Sequence, residues 1–428
     1  MIKKILIQYK NNERFRQVLS LYAVNIFGIP LAIVTSVIVT RFLGVKAYGD
    51  FMFLNNIFNL TILLLTFGFL QAGNRALVLT NDVQKSREYY GAELLILGCL
   101  YLIMVVSLFI YSSLDSNLTQ KGLQTFIKYL IPFSWVYLVI RYFEVLFQAD
   151  NKINLLVITR LFPKVGFLIS AITIYFFLFN FKGNRLIIIY SFFLLTQMLV
   201  FFYVLYKVKM SFKNIKNRIK EIWYFNKSFG FDVYLGSVLA IGFSQLSGVL
   251  ISYFGIDNTG VGHYSLALTF ATPLSFIPNV IATTHYKDFS TKNAIPNKLL
   301  IITFGLSVSA LLLLWLLVPP FITYFYKKEF YPVIALNFIV SIGIIFHGFA
   351  DFFNRFLSAH GQGKALRNSA FIVGLSLMVL NITLIPLIGE KGAAFTKAIT
   401  GIIYCVCMLW YYKHLVLDLF KGKRSKEI

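Results

Sequence analysis

Residues 207–230 read KVKMSFKNIKNRIKEIWYFNKSFG and form the one long polar interruption in an otherwise apolar chain of 428 residues. The stretch carries Lys207, Lys209, Lys213, Lys216, Arg218, Lys220 and Lys227 against the single acid Glu221, while Phe212, Ile215, Ile219 and Ile222 recur at steps of three, four and three. That spacing predicts a basic amphipathic helix. With Trp223 and Tyr224 beside its apolar face, such a helix suits the headgroup layer of a membrane, where each Lys or Arg near anionic lipid gains roughly 1 kcal/mol. The competing reading is a solvated linker.

Outward from this stretch the chain is apolar in both directions. It is 58% hydrophobic and 13% charged, with a mean hydropathy of +0.74. Apolar runs of around 20 residues, enough to cross a hydrocarbon core of about 30 Å, recur along its length. The expected fold is an all-α polytopic membrane protein. Six runs precede the basic stretch, at 18–40, 51–72, 89–112, 124–147, 156–179 and 185–206, and six follow, at 231–254, 262–282, 299–321, 333–356, 369–388 and 393–412. The predicted organisation is a first lobe over 1–206, a cytoplasmic hinge over 207–229 and a second lobe with a basic tail over 230–428.

The net charge of +23 could suggest nucleic acid, but the basic residues lie in short segments between apolar runs and leave no soluble domain to bind it. Orientation explains them. With both termini inside, the inner segments carry about 28 Lys and Arg and the outer ones about 8, which puts the termini in the cytoplasm. The first apolar run lacks a small-x-small cleavage site and reads as a retained helix. Cys99, Cys405 and Cys407 fall within apolar runs and indicate neither a disulfide nor a metal site. Motifs for nucleotide hydrolysis, metal-assisted hydrolysis or a nucleophilic serine are missing, so the sequence argues against an enzyme.

The halves read as parallel repeats. Gly44-Val45-Lys46-Ala47-Tyr48-Gly49 aligns with Gly260-Val261-Gly262-His263-Tyr264-Ser265, and a similar shift brings Arg141, Glu144 and Gln148 over Asp351, Asn354 and Ser358. Polar residues within the runs form stripes: Asn55, Asn59 and Thr66; Ser265, Thr269, Thr272 and Asn279; Ser134, Tyr137, Arg141, Glu144 and Gln148; His347, Asp351, Asn354, Arg355 and Ser358; and Asp232 with Ser237, Ser244 and Gln245. Lipid cannot accommodate such stripes, so they face the bundle interior, either as packing contacts or as a wet lining.

The charges discriminate best. An ionised Arg at mid-membrane costs about 2.5–3.5 kcal/mol on insertion scales, so Arg141 and Arg355 need partners or water. Glu144 lies three residues after Arg141, and Asp351 four before Arg355. These are either self-neutralising pairs or a binding and coupling set. Lys397 and Arg75 add positive charge, whereas Glu93 and Lys128 lie near the ends of their runs and are expected to snorkel.

Arg41-Phe42-Leu43-Gly44-Val45-Lys46-Ala47-Tyr48-Gly49 resembles the R-x-L-G-x-x-x-Y-G signature of bacterial polysaccharide flippases of the Wzx type. Pro386-Leu387-Ile388-Gly389-Glu390-Lys391-Gly392-Ala393-Ala394 is similar to that family's turn between its last two helices, and Gly68 to Arg75 to the end of its second. Wzx-type flippases belong to the multidrug/oligosaccharidyl-lipid/polysaccharide exporter superfamily. The resemblance implies a V-shaped, two-lobed bundle and alternating-access transfer of undecaprenyl-diphosphate-linked oligosaccharide to the outer leaflet of the bacterial inner membrane, for O-antigen or capsule synthesis. Partners would then be that lipid-linked cargo, membrane lipid and other polysaccharide-assembly membrane proteins. In this light Arg141, Arg355, Lys397 and Arg75 would meet the diphosphate, and Asn55, Asn59, Thr269, Asn279 and Gln148 the sugars. Glu144, Asp232 and Asp351 depart from a purely cationic lining. They serve as candidate H+ or Na+ coupling groups and keep a cation-coupled small-molecule exporter open as the alternative. No cofactor is implied.

Overall fold

The computed structural model describes residues 13–178, 181, 183–238 and 242–424. Among them every regular element is helical: α1 (Glu13–Leu43), α2 (Val45–Leu65), α3 (Phe69–Val78), α4 (Val83–Leu114), α5 (Gln124–Leu130), α6 (Trp135–Ala149), α7 (Ile153–Phe177), α8 (Arg185–Val208), α9 (Ile215–Phe225), α10 (Phe231–Ser237), α11 (Phe243–Phe254), α12 (Thr259–Ala271), α13 (Phe276–Thr284), α14 (Asn297–Phe325), α15 (Pro332–Ala359), α16 (Gly363–Ile388) and α17 (Glu390–Arg424), with a few shorter turns. Each of the twelve apolar runs overlaps one or more of these helices.

Among the described residues nine helices are long and apolar enough to cross a membrane, and α5 with α6 makes a tenth span bent by 47°. The two remaining runs fall short for local reasons. In the first the apolar helix counts only over Phe27–Leu43, and the seventh runs through residues 239–241, which lie outside the described set, as do the two chain ends and part of the 179–184 connection. The second run is not one helix: Thr66–Gly68 interrupts it between α2 and α3. In the eighth run, a tight 3-10 turn at Thr272–Ser275 carrying Pro273 separates α12 from α13. Gly44, between α1 and α2, and Gly389, between α16 and α17, hold φ of 79° and 59°. Only glycine adopts that left-handed backbone at little cost, which gives a physical reason for both signature turns.

The chain divides into two compact units, Met1–Leu43 with Ile57–Ser237, and Gly44–Asn56 with Val238–Ile428. In the first, Phe58 stacks on Tyr137 at 5.1 Å, whose hydroxyl meets that of Tyr190 at 2.6 Å. In the second, α15 and α17 run parallel, their contacts advancing in step from Gly343 against Ala398 to Phe356 against Tyr412. Residues 44–56 join this second unit through Tyr48 on Phe330 and the Asn258 amide donating to Asp50 at 2.7 Å.

The basic stretch is helical over a shorter span than its periodicity predicts. Residues 209–214 precede α9 without helix, Lys209 and Asn214 being left-handed, and the Ser211 N–H donates to the Arg87 carbonyl at 3.0 Å. Phe212 is therefore exposed rather than part of an apolar helical face, whereas Ile222 is fully buried. The two charges of opposite sign on α9 turn inward. Arg218 binds Glu88 at 2.9 Å and Glu221 at 2.6 Å, and the Tyr89 hydroxyl donates to Glu221. Beyond α9 a π-turn, Asn226–Gly230, packs on Gly68, where a Cβ would stand 2.5 Å from the Gly230 backbone. These contacts all lie within the first unit.

Candidate functional site

Two charged clusters sit inside the spans, one in each unit. The first is built by the bent span and its successor. Glu144 of α6 receives Arg141 at 3.4 Å and Arg160 of α7 at 3.5 Å. Lys164, one turn after Arg160, lies with it, Glu144, Thr159, Pro163, Gln197, Val24 and Ile140 around a cavity of about 320 Å³. At 1.5 Å per residue the charged lining runs from about 8 to about 17 Å in from the connection between α6 and α7. Arg141, Arg160 and Lys164 face the single carboxylate of Glu144, which leaves two surplus positive charges. Gln197 adds a buried side-chain oxygen that no donor reaches. Such a lining suits an anion with several oxygens, because guanidinium groups present paired donors and Lys a compact charge.

The second cluster lies where α15 meets α17. The Tyr404 hydroxyl donates to Asp351 at 3.2 Å and accepts from the Asn354 amide at 2.9 Å, while the His347 ring packs on Tyr404 at 4.8 Å. Lys397 lies two turns before Tyr404 on α17, close enough to Asp351 to attract it electrostatically. The helices approach closely because Gly343 and Gly401 leave room for each other's backbone.

Several residues singled out in the sequence fall elsewhere. Arg141 and Glu144 meet, whereas Arg355, exposed, attracts Asp351 electrostatically without contacting it, and Asp351 takes its hydrogen bond from Tyr404. Arg75 is exposed and sits over the Phe229 ring at 5.9 Å. Gln148 and Asp232 are exposed, and Asn279 is half-buried. Asn55 and Thr269 donate to carbonyls one turn back on their own helices. Asn59, exposed on α2, joins neither cluster. Glu93 does not snorkel: it is 1% exposed, neither oxygen has a hydrogen-bond donor, and it presses on Gly73, where a Cβ would clash at 1.5 Å. Lys128 does reach an aromatic edge, lying over Phe109 at 5.6 Å.

Arg160, Lys164 and Tyr404 are the additions that sequence reasoning passed over. The signal for the first two was present: NLLVITRLFPKVGFL sets two cations four residues apart on one face of an apolar run. Among the described residues no group of three or more His, Cys, Asp or Glu is placed to hold a metal.

These features define a class: a multi-pass, all-helical membrane protein with the fold of lipid flippases and multidrug exporters. It is similar over 94% of its length to the lipid II flippase MurJ in an inward closed conformation, covering 90% of that chain with a TM-score of 0.74 at 18% identity. It is also similar over 95% of its length to an inward-facing multidrug resistance transporter of the MATE family, covering 99% of that chain with a TM-score of 0.66 at 13% identity. The chain belongs to the polysaccharide biosynthesis protein family, whose model matches residues 15–286. The capsular polysaccharide biosynthesis protein CapF of Staphylococcus aureus is 24% identical over 367 residues, 82% of this chain and 88% of that protein. The resemblance to polysaccharide flippases drawn from the turn motifs thus holds at the level of family and fold.

Proposed function

We propose that this protein is a flippase for undecaprenyl-diphosphate-linked oligosaccharide, moving repeat units from the inner to the outer leaflet of the cytoplasmic membrane by alternating access. The carrying observation is the cavity in the first unit, where Arg160 and Lys164 outnumber Glu144 in the lining and the exposed Arg141 adds a further contact to that carboxylate. A diphosphate supplies the missing negative charge, and membership of the polysaccharide biosynthesis family makes a lipid-linked sugar the fitting cargo. Moving about two negative charges outward is downhill in an inside-negative potential, by roughly 2.3 kcal/mol per charge per 100 mV if the full field is crossed. The surplus protein charge offsets part of that gain, so resetting the carrier calls for coupled H+ or Na+. Glu144 and Asp351 are the acids held inside the bundle for that role. Both termini and α9 lie on the cytoplasmic side in this reading, in accord with the Lys and Arg bias.

A cation-coupled small-molecule exporter is the second reading, favoured by the Asp351–Tyr404–Asn354 cluster and the likeness to multidrug transporters. Deleting the gene and analysing lipid-linked sugars separates the two. Accumulation of completed repeat units on the cytoplasmic side, with loss of surface polysaccharide, is the expected result. Normal surface polysaccharide together with altered drug tolerance would favour the exporter, and absence of the repeat unit itself would point to a synthetic enzyme.

A further inference from the structure

A second cavity, of about 350 Å³, opens where α9 docks on the first unit, lined by Ala76, Leu79, Thr80, Lys85, Tyr89, Lys220, Glu221, Tyr224 and Phe225. Its polar side is cationic on balance. Arg218 holds both Glu88 at 2.9 Å and Glu221 at 2.6 Å, and Lys85 stands 3.6 Å from Glu221, so that with Lys220 three cations face two carboxylates. Lys220 is exposed and in no ion pair, and Lys213, Lys216 and Lys227 are exposed on the same stretch. Its apolar side is open: in the lining Leu79 is 55% and Tyr224 68% exposed, and Val83, outside the lining but two residues before Lys85 on α4, is 67% exposed.

The level of the cavity follows from helix length. At 1.5 Å per residue the 32 residues of α4 extend to about 48 Å, against a hydrocarbon core of about 30 Å. The Lys, Arg and Glu residues of α4 are gathered in its first eleven, VQKSREYYGAE, so the excess length lies at this end, and the first turns, which carry Val83, Lys85 and Tyr89, stand in the headgroup layer. A cleft with lysines at that depth and exposed aliphatic and aromatic groups beside them matches one occupant in both parts. We propose that it binds an anionic phospholipid, the phosphate between Lys85 and Lys220 and the acyl chains along Leu79, Val83 and Tyr224. The bound lipid would tie α9, already fastened by Arg218, to the bilayer surface.

The test is native mass spectrometry of the delipidated full-length protein titrated with phosphatidylglycerol or with phosphatidylcholine of the same chain length. One tightly retained phosphatidylglycerol is expected, weakened about fivefold for each lysine removed and about 25-fold in Lys85→Gln with Lys220→Gln. The control Lys298→Gln with Lys364→Gln removes equal charge elsewhere and should leave retention unchanged. Equal retention of both lipids, or undiminished retention in the double variant, overturns the proposal. Displacement of the lipid by millimolar inorganic phosphate also overturns it, by making this a site for the free anion. Should the double variant fail to fold, photoreactive benzoylphenylalanine in place of Tyr224 reads the same question, crosslinking phosphatidylglycerol in preference to phosphatidylcholine if the lipid sits there.

Discussion

Replacing Gly401 with Ala should uncouple α15 from α17 and break the second cluster. An ideal Cβ at Gly401 would stand 2.2 Å from the Gly343 carbonyl oxygen, with the Gly343 carbonyl carbon and Cα at 2.8 and 2.9 Å. Ordinary contact begins near 3.4 Å, so the helices must part by about 1.2 Å at this point. Overpacking of that kind costs about 1–3 kcal/mol. Tyr404 lies one turn further along α17, and its 3.2 Å bond to Asp351 would stretch beyond hydrogen-bonding range, a further loss of about 1–2 kcal/mol. Tyr404→Phe alone should cost that second share together with the bond its hydroxyl accepts from Asn354, about 2–3 kcal/mol in all. The two changes then overlap, because the bond can be lost once: with Tyr404→Phe already made, Gly401→Ala should cost about 1–2 kcal/mol less than in the wild type. Unfolding free energies by steric trapping, alongside surface polysaccharide at matched abundance, measure the cycle. Strict additivity would show that the helix separation does not reach Tyr404, and a neutral Gly401→Ala would refute the close-packing argument altogether.

Arg160→Gln with Lys164→Gln should lower export about 100-fold to 10,000-fold at near-normal membrane abundance, since each removes a charge-assisted contact worth about 1.5–3 kcal/mol. The same drop accompanied by equal loss of protein would make these residues structural. The docking of α9 should depend on pH through Glu221. Partial burial alone would raise its carboxyl, but the Tyr89 hydroxyl, Arg218 and Lys85 outweigh this and hold it below the usual carboxylate range. A depressed carboxylate stabilises the folded state above the unfolded value of about 4.3 and loses that contribution as pH falls through the folded one. Protection factors over 215–225, taken relative to the intrinsic exchange rate at each pH, should therefore be flat from pH 7 to 5 and fall below about 4, with Glu221→Gln weakly protected throughout; an unchanging wild-type profile counts against the network. Gly73→Ala should destabilise by about 1–3 kcal/mol, because its Cβ collides with Glu93, and Glu93→Ala should relieve most of that cost; circular dichroism melts of the single and double variants decide it.

The spans were legible because length and apolarity alone specify a membrane helix, and no tertiary information is needed to find them. The breaks were less so. Pro273 announces the interruption before α13, but the turn at Thr66–Gly68 depends on Gly68 taking a left-handed backbone against Gly230, a contact 162 residues away in sequence. Glu93 was misread for a simpler reason. The apolar run begins near Tyr89, whereas α4 begins at Val83, so Glu93 stands not at the helix end but ten residues in, on the face that packs against Gly73. For α9 the sequence shows that the charges are mostly basic, but not that Arg218 and Glu221 turn inward to Glu88 and Tyr89.

The first cluster carries the argument about function further than the pairwise spacing of Arg141 and Glu144 could. Taken as a pair, those two residues neutralise each other and invite a structural explanation. Taken with Arg160 and Lys164 they are not a neutral set: three cations stand against one carboxylate, two of them, Arg160 and Lys164, in the cavity lining and the third, Arg141, exposed. A set that existed only to specify packing would gain by being neutral, since uncompensated charge in the bundle interior costs several kcal/mol. The surplus is tolerable where water or an anion enters, and an anion that carries about two negative charges on adjacent phosphates would compensate it in full. Replacing Glu144 with Gln therefore sharpens the distinction, because it raises the surplus to three: a structural cluster would lose protein abundance from the added repulsion, whereas a cargo site would hold the diphosphate more tightly and slow its release.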